Sequence, residues 1–178
     1  MKAIYKRELR SYFTSPIGYV FVAVYLVLSG VLFAYTTLLS AISGGSADIG
    51  TYFTVLICGF SFLLPLLTMR LFADDRRMKT EQLLLTAPVS IGGMVGAKFL
   101  AAYTVYAGTY AVSALDFLLL YIYNDTTGVV TEKNTAMLVG YSIAVLLLGA
   151  AFIAIGVFVS SLTEHQITAV IATIAILA

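Results

Sequence analysis

The chain has 178 residues, of which 61% are hydrophobic and only 11% charged, with a formal net charge of +1 and a mean hydropathy of +1.00. That much apolar side chain excludes an ordinary soluble domain of this length, and the near-zero total charge gives no reason to expect nucleic-acid binding. One cysteine excludes an internal disulfide.

The first fifteen residues are charged throughout, and the apolar run behind them is too long for a signal-peptide core. On a helical wheel Ile4, Tyr5, Leu9, Tyr12 and Phe13 fall on one half, with Lys6, Arg7 and Arg10 opposite, which predicts an amphipathic helix at a membrane interface. Ser15-Pro16 ends it, because proline lacks an N–H and disfavours helical geometry in its predecessor.

Residues 17–39 and 51–72 are long enough to cross a hydrocarbon core of ~30 Å at 1.5 Å per residue and form the first two expected spans. Cys58 reads as a small core hydrophobe within the second. Pro65 should bend that helix by leaving the carbonyl of Ser61 without its partner.

Residues 74–88, DDRRMKTEQLLLTAP, are the long charged insert of the chain. Asp75 with Lys79 and Arg77 with Glu81 stand at four-residue spacing, Asp74 and Asp75 suit a helix N-terminus, and Leu83, Leu84 and Leu85 follow before Pro88. Charges at one end and leucines at the other predict a short surface helix that docks against something; the competing reading is a solvated loop.

The third apolar segment, residues 91–123, exceeds what a bilayer needs; with Lys98 at the interface, the span proper is expected over 98–123. Gly92 and Gly96 have the spacing that permits close helix contact. Asp116 should lie near the opposite interface, as a cap or interface charge in preference to a substrate ligand. A fourth span is expected over 135–160. The loop after it contains Glu164 and His165, the latter read as a solvated surface residue. A fifth apolar segment opens at residue 167 and is too short to span, so the sequence reads as a piece lacking its C-terminal part.

With the N-terminus cytoplasmic, every lysine and arginine except Lys133 lies on the cytoplasmic side. The insert and the 160–166 loop then face the cytoplasm together, which suggests a soluble partner beneath the membrane.

The opening KRELRSYFTSPIGYVF (residues 6–21), the segment RLFADDRRMKTEQLLLTAPVS (70–90) leading into GAKFLAAY (96–103), and the loop SSLTEHQ (160–166) together resemble ABC-2-type transporter permeases, most closely the gliding-motility-associated subgroup. The resemblance implies a six-helix permease of a bacterial plasma membrane that dimerises with itself or a related permease, contacts membrane lipid, and binds a separate ABC ATPase. It further implies an N-terminal connecting helix matching residues 6–13, with Tyr5, Leu9, Tyr12 and Phe13 as its interfacial side chains. A first coupling element would match 74–87, with Asp75, Arg76, Arg77, Lys79, Glu81, Leu84 and Leu85 as contact residues, and a second would match 164–166, with Glu164 and His165.

The expected fold is therefore an all-α polytopic helical bundle with an N-terminal interfacial helix and a cytoplasmic coupling helix between spans two and three. The expected function is ATP-driven export with no catalytic site in this chain. No GxxxxGK[ST] phosphate loop and no metal-ligand spacing occurs in the sequence, so ATP and Mg would bind on the partner. The alternatives are an ion-coupled secondary transporter, which would be expected to carry ionisable residues at the membrane midplane, and a non-transporting scaffold.

Overall fold

The computed structural model describes residues 2–39, 49–69, 71, 91–118, 122, 132–163 and 166–177. Among them the regular elements are all helices: α1 (Lys2–Thr14), α2 (Pro16–Leu32) with a π-helical continuation (Phe33–Leu38), α3 (Ile49–Thr68), α4 (Ile91–Ser113), α5 (Glu132–Leu162) and α6 (Gln166–Leu177). Three helical stretches, Pro16–Thr36, Ile49–Thr68 and Thr135–Leu162, are long and apolar enough to cross a membrane.

The junction between α1 and α2 follows from two residues. The Ser15 amide donates to the Ser11 carbonyl at 3.0 Å and closes α1. Ser15 itself is extended, at φ −94° and ψ 147°, and Pro16 then occupies the first turn of α2, where its missing N–H costs nothing. The helix α3 continues through the buried Pro65 to Thr68, and the Met69 amide donates to the Pro65 carbonyl at 2.9 Å.

Helices α2 to α5 alternate in direction. At one end of the bundle the rings of Phe33, Tyr52, Phe53, Phe117 and Tyr141 meet, with Phe53 stacked on Phe117 at 5.8 Å and on Tyr141 at 5.2 Å between centroids. At the other end Tyr12 reaches Leu67, Lys98 reaches Leu71 and Ser160 reaches Met69. Between these ends α3 packs most extensively on α5, α2 and α6 lie against α3, and α1 lies across α4 and α2.

Helix α4 covers the first part of the expected third span, and residues 115–118 beyond it are helical again. It ends at Ser113, and Ala114 forms a turn whose amide donates to the Tyr110 carbonyl at 2.8 Å; the Phe117 amide donates to the Ala114 carbonyl at 3.2 Å. It is also not one of the three long apolar stretches, because Lys98 and a sequence rich in glycine, alanine and tyrosine lower its hydropathy. Its buried positions, Met94, Ala97, Lys98, Ala101, Ala102, Val105, Tyr106, Thr109, Tyr110 and Ser113, recur every three to four residues as one face. That face is turned to the protein interior, where small side chains let neighbouring helices come close.

One expectation is corrected, and a spacing that permits close contact goes unused. Cys58 is exposed on the outer side of α3 and does not pack in the core. Gly92 and Gly96 face open space, since a Cβ at either would meet nothing within 4 Å. The glycines used for close approach lie on α5. A Cβ on Gly149 would collide with the ring of Tyr106, whose hydroxyl donates to the Val145 carbonyl at 2.8 Å, and a Cβ on Gly156 would collide with Thr68. Neither neighbour yields easily: the Tyr106 ring is fixed at its hydroxyl, and a β-branched threonine on a helix is stiff about χ1.

Gly149→Ala and Gly156→Ala should therefore each destabilise the protein by about 1–3 kcal/mol through overpacking, read as a lowered melting temperature of the detergent-solubilised protein. Gly92→Ala, in open space, should leave it unchanged or raise it, since alanine is favoured over glycine within a helix.

Candidate functional site

The end of α3 gathers the polar chemistry of the bundle. A helix finishes with carbonyls that have no intrahelical donor, and these carry the negative end of the helix dipole. Buried away from water they need partners. Here the carbonyls of Leu67, in the last turn of α3, and of Met69 and Leu71, just beyond it, are met in turn by side chains from three other helices.

From α1, the Tyr12 hydroxyl donates to the Leu67 carbonyl at 2.9 Å. From α5, the Ser160 hydroxyl donates to the Met69 carbonyl at 3.3 Å. From α4, the Lys98 ammonium donates to the Leu71 carbonyl. Lys98 is fully buried, and the same ammonium donates to Glu8 Oε1 at 3.3 Å. That carboxylate oxygen also accepts from Arg7 at 2.6 Å. The two contacts have different worth. Arg7 is half exposed, so its contact contributes about 0–1 kcal/mol, whereas removing one partner from the buried pair typically costs about 3–5 kcal/mol.

The local sequence explains why these groups converge. Tyr5, Glu8 and Tyr12 are separated by three and four residues and so lie on one side of α1. The Tyr5 hydroxyl shares a hydrogen bond with Thr104 Oγ1 at 3.0 Å, Glu8 meets Lys98, and Tyr12 reaches α3, so α1 is fastened along its length. Ile4 and Leu9 fill the spaces between, packed against the core.

Of the side chains expected at an interface, Tyr5, Leu9 and Tyr12 thus face the chain's own helices. Phe13 departs from them and from the wheel's apolar half: seven residues after Lys6, it lies on the same side of α1 as that cation, is exposed and meets Tyr19 edge to face at 6.5 Å. The expected contact residues Asp75, Arg76, Arg77, Lys79, Glu81, Leu84, Leu85, Glu164 and His165 lie outside the described residues. Asp116 is half-buried next to Phe117, at the opposite end of the bundle from Lys98.

Glu8 and Ser160 are functional candidates that the sequence reading did not single out, and Lys98 was expected only as an interface marker. A signal for Glu8 exists: it is the one acid in α1 and stands on the apolar side of the wheel. Its partner is 90 residues away, and no local pattern announces that distance. Among the described residues no group of three His, Cys, Asp or Glu side chains could hold a metal. What the arrangement can do is mechanical: it ties the place where the chain leaves α3 for residues 72–90 to α1, α4 and α5 at once.

The Glu8–Lys98 contact should behave as a coupled unit. Glu8→Gln and Lys98→Met should each destabilise the protein, and the double variant should be less destabilised than their sum, by about 1–3 kcal/mol. Thermal unfolding of the four proteins in one detergent measures this; strict additivity would show that the contact contributes nothing.

No protein-family model, curated protein or solved structure matches the chain.

Proposed function

We propose that the chain is the membrane-spanning permease subunit of an ABC-2-type exporter, moving its substrate outward at the expense of ATP hydrolysed by a separate ATPase. In this reading the protein sits in a bacterial plasma membrane with its N-terminus in the cytoplasm and works as a dimer of permeases. Residues 74–87 form the first coupling element, 164–166 the second, and α1 is the connecting helix at the membrane surface.

The observation that carries the reading is the joint at the end of α3. The charged insert that resembles a coupling element lies between α3 and α4, and the carbonyls at its α3 side are held by Tyr12, Ser160 and Lys98. A push on the insert is then not absorbed by one helix end. It is delivered to α1, α4 and α5 together, which suits a subunit that converts closure of ATPase subunits into movement of a bundle. The ordered resemblance of residues 6–21, 70–90, 96–103 and 160–166 supports the same assignment.

The Glu8–Lys98 pair does not favour an ion-coupled carrier. It lies level with the end of α3, whereas proton and ion relays are expected deeper among the helices.

Co-purification tests the proposal. The complete tagged protein, extracted in detergent, should bring a nucleotide-binding subunit with it, and Leu84→Asp should lose that subunit while inserting into the membrane normally. Coupled ATP hydrolysis persisting in Leu84→Asp would refute the coupling element; the absence of any ATPase from the unmodified protein would refute the permease.

A further inference from the structure

The outward side of α1 presents cations without an acid among them. Lys2, Lys6 and Arg10 follow one another at four-residue steps, all exposed, and none forms an ion pair with a described residue. Steps of four keep side chains on one side of a helix, here along roughly 12 Å of its length. Glu8, the only acid in α1, is turned inward and held by Lys98, so its charge does not dilute this side.

The surroundings indicate what such a row faces. Phe13 stands two turns beyond Lys6 on the same side of α1 and pairs with Tyr19, and both rings are exposed. From Tyr19 the exposed surface continues along α2 through Val20, Val24, Val27 and Val31, without a charge. A cationic row that passes through exposed aromatic rings into an uncharged apolar surface matches the profile of a lipid monolayer: phosphate level, interfacial aromatic level, acyl chains. A soluble acidic partner would complement only the first of these.

We propose that the Lys2, Lys6 and Arg10 side of α1 binds the headgroups of anionic phospholipids, with Phe13 and Tyr19 at the boundary below them. Long side chains reach the phosphates from a helix whose other side is committed to α4. This rests on the placement of α1 at the membrane surface and deepens it by naming the lipid class; it does not depend on the ATPase partner.

The test uses the complete protein purified in detergent with equal amounts of phosphatidylglycerol and phosphatidylcholine, the retained lipids being counted by mass spectrometry. The unmodified protein should retain phosphatidylglycerol preferentially. The preference should fall by about fivefold for each cation lost, so that Lys2→Gln, Lys6→Gln and Arg10→Gln combined abolish it, while the charge-conserving set Lys2→Arg, Lys6→Arg and Arg10→Lys keeps it. Equal retention of the two lipids by the unmodified protein, or an unchanged preference in the combined glutamine variant, would overturn the proposal. So would loss of a bound acidic protein from that variant with lipid retention unaltered, which would give the face to a protein partner. Release of the protein from membranes by an alkaline carbonate wash would instead refute the membrane placement itself, separately from the lipid preference.

Discussion

The end of a helix in an apolar environment is the constraint on which the rest of this bundle depends. Inside α3 each carbonyl is satisfied by the backbone four residues on, and at its end that supply stops. In water the solvent would complete the account. In an interior built from residues such as Leu64, Leu67 and Leu71 other side chains must do so. Tyr12, Ser160 and Lys98 come from three helices, and bringing them to one place fixes the approach of all three. The ammonium of Lys98 meets the Leu71 carbonyl just beyond α3, and Glu8 balances a charge that would otherwise be costly to bury.

Away from that end, the interior is held by fit. Tyr25 stacks on Phe60 at 5.8 Å, and Phe60 meets Tyr106 edge to face at 5.5 Å, which links α2, α3 and α4 through three rings. Tyr106 then lies in the space left by Gly149 on α5. Buried hydroxyls on these helices are accommodated locally: Thr68 donates to the Leu64 carbonyl at 3.1 Å, Thr109 to that of Val105 at 2.8 Å and Thr173 to that of Ala169 at 2.7 Å. Such bonds let an apolar helix carry a polar residue without a partner on another element.

Much of this was legible in the sequence because it is local. The apolar runs located the helices, Ser15-Pro16 located the corner between α1 and α2, and the wheel of α1 separated Tyr5, Leu9 and Tyr12 from its cations. What was not legible depends on which helix meets which. Hydropathy says that Cys58 is in an apolar helix, but not which side of α3 faces outward. The spacing of Gly92 and Gly96 is as good as that of any contact motif, yet α4 meets its neighbours elsewhere, and the close approaches fall at Gly149 and Gly156. Glu8 and Lys98 each look like ordinary interfacial charges until the fold sets them 3.3 Å apart.

The helix that composition describes least well is the one that joins these features. Helix α4 is less apolar than the three long apolar stretches, and polar residues that lower its hydropathy are ones it uses: Lys98 near the end of α3, Tyr106 against α5, and Ser113, which turns towards the Tyr52 hydroxyl at 3.5 Å. Its interior face can carry these groups because neighbouring helices shield it and offer them hydrogen-bond partners. A helix so connected at both ends and the middle cannot shift alone. Any displacement of Lys98 must move Glu8 and α1 with it or break a buried contact, and any tilt must move Tyr106 against a backbone with no side chain to yield. The polar residues that lower the hydropathy of α4 are thus the ones that join it to α1, to α3 and the chain just beyond it, and to α5.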